Sequence, residues 1–266
     1  METINSHLVA VARSLVLSEN EKSKIVTSIK NLQGKLTSWF ADEIIEHFRF
    51  GSSVRETILP RKVDEDSDID YMVVFENEED YKPITLLNHL RDFVEGKYAC
   101  SEIYQSFPTI VLELNHIKFE LVPAVTSFSF FGNWYNIPAP ASNFLDWMKT
   151  NPTELNQRIN KADPLYHYQI KKLIRLLKYW NVRNGKLYSS YELETYVGKT
   201  VFLGCSMLED YFFYAIKYLP TWSLAQYKHN KVERFKAKVN EIREKYYDNG
   251  NKKDALAELY KLFPLP

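Results

Sequence analysis

Two aspartates set two apart at the head of an apolar run, Ser67-Asp68-Ile69-Asp70-Tyr71-Met72-Val73-Val74-Phe75, constrain this chain more than any other stretch. The β-branched and aromatic residues around them read as a strand. On a strand, residues i and i+2 face the same way, so Asp68 and Asp70 leave one face while Ile69 goes to the other. Two like charges this close are costly unless a cation sits between them, which points to a divalent metal site. Taken alone, the pair also fits the solvated face of an edge strand, a common place for acids.

At 266 residues, 45% hydrophobic and 15% aromatic, the chain can bury the core of one large domain or two small ones. Thirty-four basic residues balance thirty-four acidic ones, so no global field draws in nucleic acid. Cys100 and Cys205 are too few and too far apart in sequence for a disulfide framework or a four-ligand zinc site, which suits a reducing, cytoplasmic setting. The first residues lack a basic region followed by an apolar one, and no apolar run is long enough to span a bilayer. A soluble protein that does not engage a membrane is expected.

From Ile4 to His47 the apolar spacing predicts a short helix followed by a long one, with Ser18-Glu19-Asn20-Glu21 as break and cap. Phe48-Arg49-Phe50 reads as a first strand and Gly51-Ser52-Ser53 as a tight turn into a helical turn from Val54 to Ile58. A charged loop leads to the aspartate strand, and a polar break at Glu76-Asn77-Glu78-Glu79-Asp80 follows it. A helix from Ile84 to Gly96 comes next, then strands Thr109 to Leu114 and Ile117 to Val122 joined across Asn115-His116 as a hairpin. The aromatic run Phe128 to Tyr135 is expected to add a strand or line a cleft. From Asn143 the pattern is helical. Its clearest helix runs from Leu165 to Val182, and Ser190 reads as the N-cap of a helix from Tyr191 to Leu203. Further helices are expected at Leu208 to Tyr218, Ser223 to Tyr247 and Asp254 to Phe263.

Gly51-Ser52, then Asp68-Ile69-Asp70 on a strand, then Phe119-Glu120-Leu121-Val122-Pro123-Ala124, resembles the nucleotidyltransferases of the polymerase β superfamily. Within them the chain is similar to the bacterial signalling synthases related to animal cyclic GMP-AMP synthase and oligoadenylate synthase (CD-NTases of the SMODS type). Leu177-Lys178-Tyr179-Trp180 and Ser189-Ser190-Tyr191-Glu192-Leu193-Glu194 extend the likeness into the second half. Two departures stand out. Glu56-Thr57 occupies the place where many relatives carry Gly-Thr, and the third acid is Glu120 where the family often has Asp.

The resemblance implies an α+β fold of two lobes around a central cleft. Residues 1–140 would form a catalytic core with a mixed, mostly antiparallel sheet and bracing N-terminal helices, and residues 141–266 a helical nucleotide-binding lobe. It implies two Mg²⁺ ions, replaceable by Mn²⁺, held by Asp68, Asp70 and Glu120, with Glu120 also taking the proton of the attacking hydroxyl. Glu113, another acid on an apolar strand, competes for the third position, and the Val-Pro-Ala that follows Glu120 decides for Glu120. Gly51 and Ser52 would cradle the triphosphate of a bound nucleotide such as ATP, though both residues also suit a plain turn. Lys178 would lie over the β and γ phosphates rather than be a solvated helical lysine, and Ser190 would donate to the same group while capping its helix. Tyr191 would stack on a base or pack in the core. Lys171 and Arg175 are weaker candidates for a positive wall.

The implied activity is metal-dependent joining of ribonucleoside triphosphates into a cyclic di- or trinucleotide second messenger, with release of pyrophosphate. By the same resemblance the product activates a separately encoded effector in anti-phage (CBASS) defence, and a monomer is the expected working unit. Two rivals share the core: transfer of a nucleotide to a tRNA, protein or small-molecule acceptor, and a catalytically idle nucleotide or RNA sensor. No obligatory double-stranded nucleic acid is expected, because the charge is neutral and no Cys/His zinc cluster offers a platform.

Overall fold

The computed structural model describes residues 2–76, 80–106, 108–127, 134–139, 145–222 and 224–266. Residues 77–79 of the polar break, 128–133 of the aromatic run, residue 143, where the helical half was expected to open, and residue 223 lie outside the described residues. The chain forms two compact units. One comprises Met1–Val16, Lys62–Asp64 and Gln157–Pro266, and the other Leu17–Arg61 and Glu65–Asn156. The first helix, α1 (Ile4–Ser14), therefore groups with the helical unit and not with the core as expected. Its apolar face, Ile4, Leu8, Val11 and Ala12, is buried, and it packs on later helices of that unit.

The second unit is built on a seven-stranded sheet. Helix α2 (Glu19–Phe40) starts as the sequence predicts: the Ser18 hydroxyl accepts from the Glu21 amide, and the Glu21 carboxylate accepts from the Ser18 amide at 2.8 Å. It stops at Phe40 rather than near His47, because Ala41 turns the chain with φ 45°. Ile44, expected on the helix, instead opens strand β1 (Ile44–Arg49), which continues into the short helix α3 (Gly51–Arg55). Then come β2 (Asp68–Phe75), α4 (Pro83–Lys97), β3 (Glu102–Ser106), β4 (Thr109–Leu114) and β5 (Ile117–Ser127). Strands β6 (Trp134–Pro138) and β7 (Trp147–Thr150) complete the sheet.

The strand order is β1-β2-β5-β4-β3, with β6 beside β5 and β7 beside β6. Among the described residues only β2 and β5 run parallel; the other pairs are antiparallel, the mixed and mostly antiparallel sheet that was expected. Leu114 pairs with Ile117, so Asn115-His116 is the predicted two-residue hairpin turn. Ile25, Ile29, Leu32, Leu36 and Phe40 of α2 join Leu86, Leu87, Leu90 and Phe93 of α4 in one core with Ile69, Tyr71, Val73, Phe119 and Leu121 of the sheet. The opposite face of β2 carries Asp68 and Asp70 at its start, and further along Met72 and Val74, which are buried with Ala124 and Tyr135.

Besides β1, three strand assignments differ from expectation. β3 was not predicted, because its polar sequence Glu-Ile-Tyr-Gln-Ser carries little apolar alternation. β5 runs on through Pro123 to Ser127, with Pro123 beside Val73. β7 lies where helix was expected.

The helical unit holds α1, most of α5 (Glu154–Leu165), α6 (Ile170–Arg183), α7 (Ser190–Lys199), α8 (Leu208–Lys217), α9 (Gln226–Tyr247) and α10 (Lys252–Leu262). The helix expected from Leu165 begins at Ile170, because His167 and Tyr168 take left-handed φ of 56° and 59° and break the path from α5. Helix α6 is central: it packs on α1, α7 and α8, and its Trp180 stacks on Phe235 of α9 with centroids 3.9 Å apart. Among the described residues no helix is long and apolar enough to cross a membrane.

Candidate active site

Parallel pairing sets Asp70 directly beside Glu120 and Asp68 beside Lys118. Side chains of paired residues leave the same face of a sheet, so both aspartates, Glu120 and Lys118 converge on the face away from the α2–α4 core. The Asp68 and Glu120 carboxyls are in hydrogen-bond contact, and Lys118 Nζ lies 3.7 Å from Glu120 Oε1. Burial first, and the Asp68 charge second, raise the Glu120 carboxyl to about 7, while Lys118 pulls it the other way. Glu113, the rival third acid, pairs with Lys118 across β4 and β5 and so shares this face, but its carboxylate takes Arg61 Nη2 at 2.6 Å.

Gly51 stands against this cluster. Its φ is 72°, and a Cβ at this position would fall 1.7 Å from Asp70 Oδ2. Only glycine combines that backbone angle with that approach. The Phe50 amide donates to the Asp70 carbonyl at 3.1 Å, which locks the start of α3 to β2. The expected tight turn at Gly51-Ser52-Ser53 is itself the first turn of α3. The Ser52 carbonyl accepts from the amides of Thr57 at 3.0 Å and Ile58 at 3.2 Å, so the α3 loop closes on Ser52. Glu56, where relatives often carry glycine, takes a left-handed φ of 61°, a conformation glycine adopts more easily. The departure from Gly-Thr thus places a glutamate in a left-handed conformation at this turn.

Lys178, Ser190 and Tyr191 belong to the helical unit. Lys178 is only 4% exposed, and its amine donates to Glu194 Oε1 on α7 at 3.3 Å; Glu194 is fully buried. It is not a solvated surface lysine. The N-cap of α7 is Ser189 rather than the expected Ser190, which is the first helical residue, because Ser189 forms the capping box with Glu192. The loop before α7 is held by Asn181, which donates to the Tyr188 carbonyl at 2.8 Å and accepts the Tyr188 amide at 3.0 Å. Lys178, Ser189 and Ser190 line one cavity of about 560 Å³. Tyr191 is 64% exposed, so core packing is not its role. Arg175 is buried and donates to the Ala12 carbonyl at 3.4 Å, bracing α1, while the Lys171 amide donates to Asp163.

Sequence reasoning gave no role to Lys118, Asn181 or Glu194. Lys118 was findable, since a lysine two before an acid on a strand shares its face. Among the described residues no three acidic, histidine or cysteine side chains already form a metal cage. The structure assembles the Asp68–Glu120 pair, with Asp70 in register beside it. These donors are all carboxylate oxygens, a set suited to hard cations such as Mg²⁺, and a cation bound there would offset the Asp68 charge that, after burial, raises the Glu120 carboxyl.

An acid-bearing parallel strand pair in a mixed sheet, flanked by a glycine-led turn, is the arrangement that the resemblance to polymerase β-type nucleotidyltransferases leads one to expect. The chain belongs to the Second Messenger Oligonucleotide or Dinucleotide Synthetase (SMODS) domain family, which it matches over residues 1–163. A probable cyclic nucleotide synthase of Bacillus cereus (strain VD146) is 34% identical over 105 residues, which make up 38% of this chain and only 31% of that relative. Three solved structures share the fold. Escherichia coli MS115-1 CdnC, in a complex with HORMA-deltaN, has a TM-score of 0.73 at 14% identity over 97% of each chain. Bradyrhizobium diazoefficiens CD-NTase CdnG, in complex with GTP, has a TM-score of 0.71 at 13% identity, again over 97% of each. Vibrio cholerae DncV, a cyclic AMP-GMP synthase bound to the linear intermediate pppA(3′,5′)pG, has a TM-score of 0.75 at 12% identity over 98% of this chain and 96% of that one.

Two outcomes follow from this geometry. Gly51→Ala lowers unfolding free energy in urea by roughly 1–3 kcal/mol, whereas Gly34→Ala on α2, where a Cβ meets nothing within 4 Å, is neutral or stabilising; equal effects would contradict the close approach to Asp70. In chelator, the folded state binds a proton at Glu120 more tightly than the unfolded chain, so this contribution to stability is present below about pH 4.5 and is lost as pH rises through about 7. Thermal melts at pH 5 and pH 7.5 should show that component, roughly 1–3 kcal/mol, in the wild type and not in Glu120→Gln.

Proposed function

We propose that the chain joins ribonucleoside triphosphates, ATP among them, into a cyclic di- or trinucleotide second messenger, releasing pyrophosphate. The observation that carries the reading is the register of β2 against β5, which sets Asp70 beside Glu120, brings Glu120 to Asp68 and stands Gly51 on the Asp70 carboxylate. The Bacillus cereus relative, a probable cyclic nucleotide synthase, supports it, as do the GTP bound to CdnG and the linear dinucleotide bound to DncV.

In this reading Asp68, Asp70 and Glu120 hold two Mg²⁺ ions, or Mn²⁺ in their place, which when bound supply positive charge at the entering and leaving oxygens of an in-line displacement. The residues of the chain do the rest. Glu120, with its carboxyl raised toward neutrality, accepts the proton of the attacking hydroxyl. Gly51 lets the phosphate approach the backbone of α3, and Ser52 donates to it. Lys178, held by Glu194, sets a fixed positive charge for the β and γ phosphates, Ser190 donates to the same group, and exposed Tyr191 stacks on a base. We place the product in anti-phage signalling through a separately encoded effector; the complex of CdnC with HORMA-deltaN supports a role for protein partners in such systems.

The test is to incubate purified protein with all four ribonucleoside triphosphates and Mg²⁺ and to identify products by mass and nuclease sensitivity. Cyclic product should form with no other acceptor. The paired variant Asp68→Asn, Asp70→Asn should lose activity by roughly three orders of magnitude or more. Full turnover in that variant, or transfer only when a tRNA, protein or small-molecule acceptor is added, would overturn the reading.

A further inference from the structure

The cavity that holds Lys178 and Ser190 is lined by two more lysines, Lys186 on the α6–α7 loop and Lys228 on the first turn of α9. Their electrostatic states differ. Lys178 faces the buried carboxylate of Glu194 at 3.3 Å, and Lys186 faces Asp64 at 2.6 Å. The hydrogen bond that holds Lys228 goes to a neutral acceptor, the carbonyl of Leu187, at 3.1 Å. That bond fixes the amine beside the loop Tyr188-Ser189-Ser190 without cancelling its charge. Two of its three ammonium protons remain for other acceptors.

The surrounding backbone favours an anion too. The N-cap of α9 is Ala225, which lines the cavity and has no side-chain oxygen to cap the first-turn amides, so the positive end of a 22-residue helix opens beside Lys228. The Tyr188 hydroxyl donates to the Pro220 carbonyl at 2.6 Å, and together with the Lys228–Leu187 bond it ties the approach to α9 to the wall that bears Ser189 and Ser190.

We propose that Lys228 is a further substrate-binding residue, one that grips the terminal phosphates of the nucleoside triphosphate in this cavity alongside Lys178 and Ser190. The proposal rests on the functional reading above and adds a residue to it. It also divides the labour among the three lysines: Lys178 is a fixed charge already matched by Glu194, whereas Lys228 brings the positive charge that the incoming polyphosphate neutralises. Because the contact is to the phosphate tail, it distinguishes triphosphates from monophosphates and is indifferent to the base.

Lys231 supplies the control. It lies one turn further along α9 and also donates to a carbonyl of the α6–α7 loop, that of Asn184, at 3.5 Å, but it does not line the cavity. Binding of each ribonucleoside triphosphate and its monophosphate is measured by titration calorimetry, with Mg²⁺, on the full chain and on Lys228→Gln, Lys228→Arg and Lys231→Gln, with melting temperatures alongside. Loss of a charge-assisted contact predicts triphosphate binding about 10-fold weaker or more in Lys228→Gln, unchanged monophosphate binding, substantial recovery in Lys228→Arg and no change in Lys231→Gln. If both glutamine variants weaken mono- and triphosphate binding alike, Lys228 is only a loop staple and the proposal falls. It falls equally if the wild type binds triphosphate and forms cyclic product while Lys228→Gln binds triphosphate as tightly. If the wild type binds no triphosphate at all, the functional reading fails first and takes the proposal with it.

Discussion

Residues that face each other across a parallel strand pair lie on the same side of the sheet, and between β2 and β5 that rule decides which side chains meet. Asp70 stands beside Glu120, and Asp68 beside Lys118. A slip of one residue would turn Glu120 into the core and bring Phe119 or Leu121 out in its place. The register is pinned on the far face, where Ile69, Tyr71, Phe119 and Leu121 are buried against α2 and α4. The apolar core thus specifies the acidic cluster, and the charge repulsion within that cluster is tolerated because burial on the other face outweighs it. The same sheet explains Gly51: β1 delivers the chain to the edge of Asp70, where no side chain fits.

The helical unit solves a different problem, that of keeping a cation in a nearly dry place. Lys178 and Glu194 are both buried, and removing one partner of a buried ion pair costs about 3–5 kcal/mol. The pair therefore fixes α6 against α7 and fixes the position of an ammonium group at once. Asn181 extends the clamp to the loop through both backbone groups of Tyr188. In the proposed function, a positive charge held by geometry rather than by solvent does not have to reorganise when a phosphate arrives.

Much of this was legible in the chain. Alternation on the strand gave the shared face of Asp68 and Asp70, the run after Glu120 chose it over Glu113, and Asn115-His116 set the hairpin. The capping pair Ser18 and Glu21 was readable because its spacing is local. What escaped depended on distant partners. The polar strand β3 exists because β4 offers it an edge, Ile44 joins a strand because Phe75 pairs with it, and α1 belongs to the helical unit because its apolar face finds α6, α8 and α10. The approach of Gly51 to Asp70 and the choice of Ser189 as N-cap are decided by tertiary placement, which no short-range pattern records.

The central claim is that Asp68, Asp70 and Glu120 act together as one cation site beside a nucleotide. The most direct measurement is equilibrium binding of Mn²⁺ by electron paramagnetic resonance, with a non-hydrolysable ATP analogue present. Two protein-dependent Mn²⁺ ions per chain are predicted for the wild type, with at least one lost in Glu120→Ala and both weakened in Asp70→Asn. Mn²⁺ binding that is unaltered by either substitution would contradict the account.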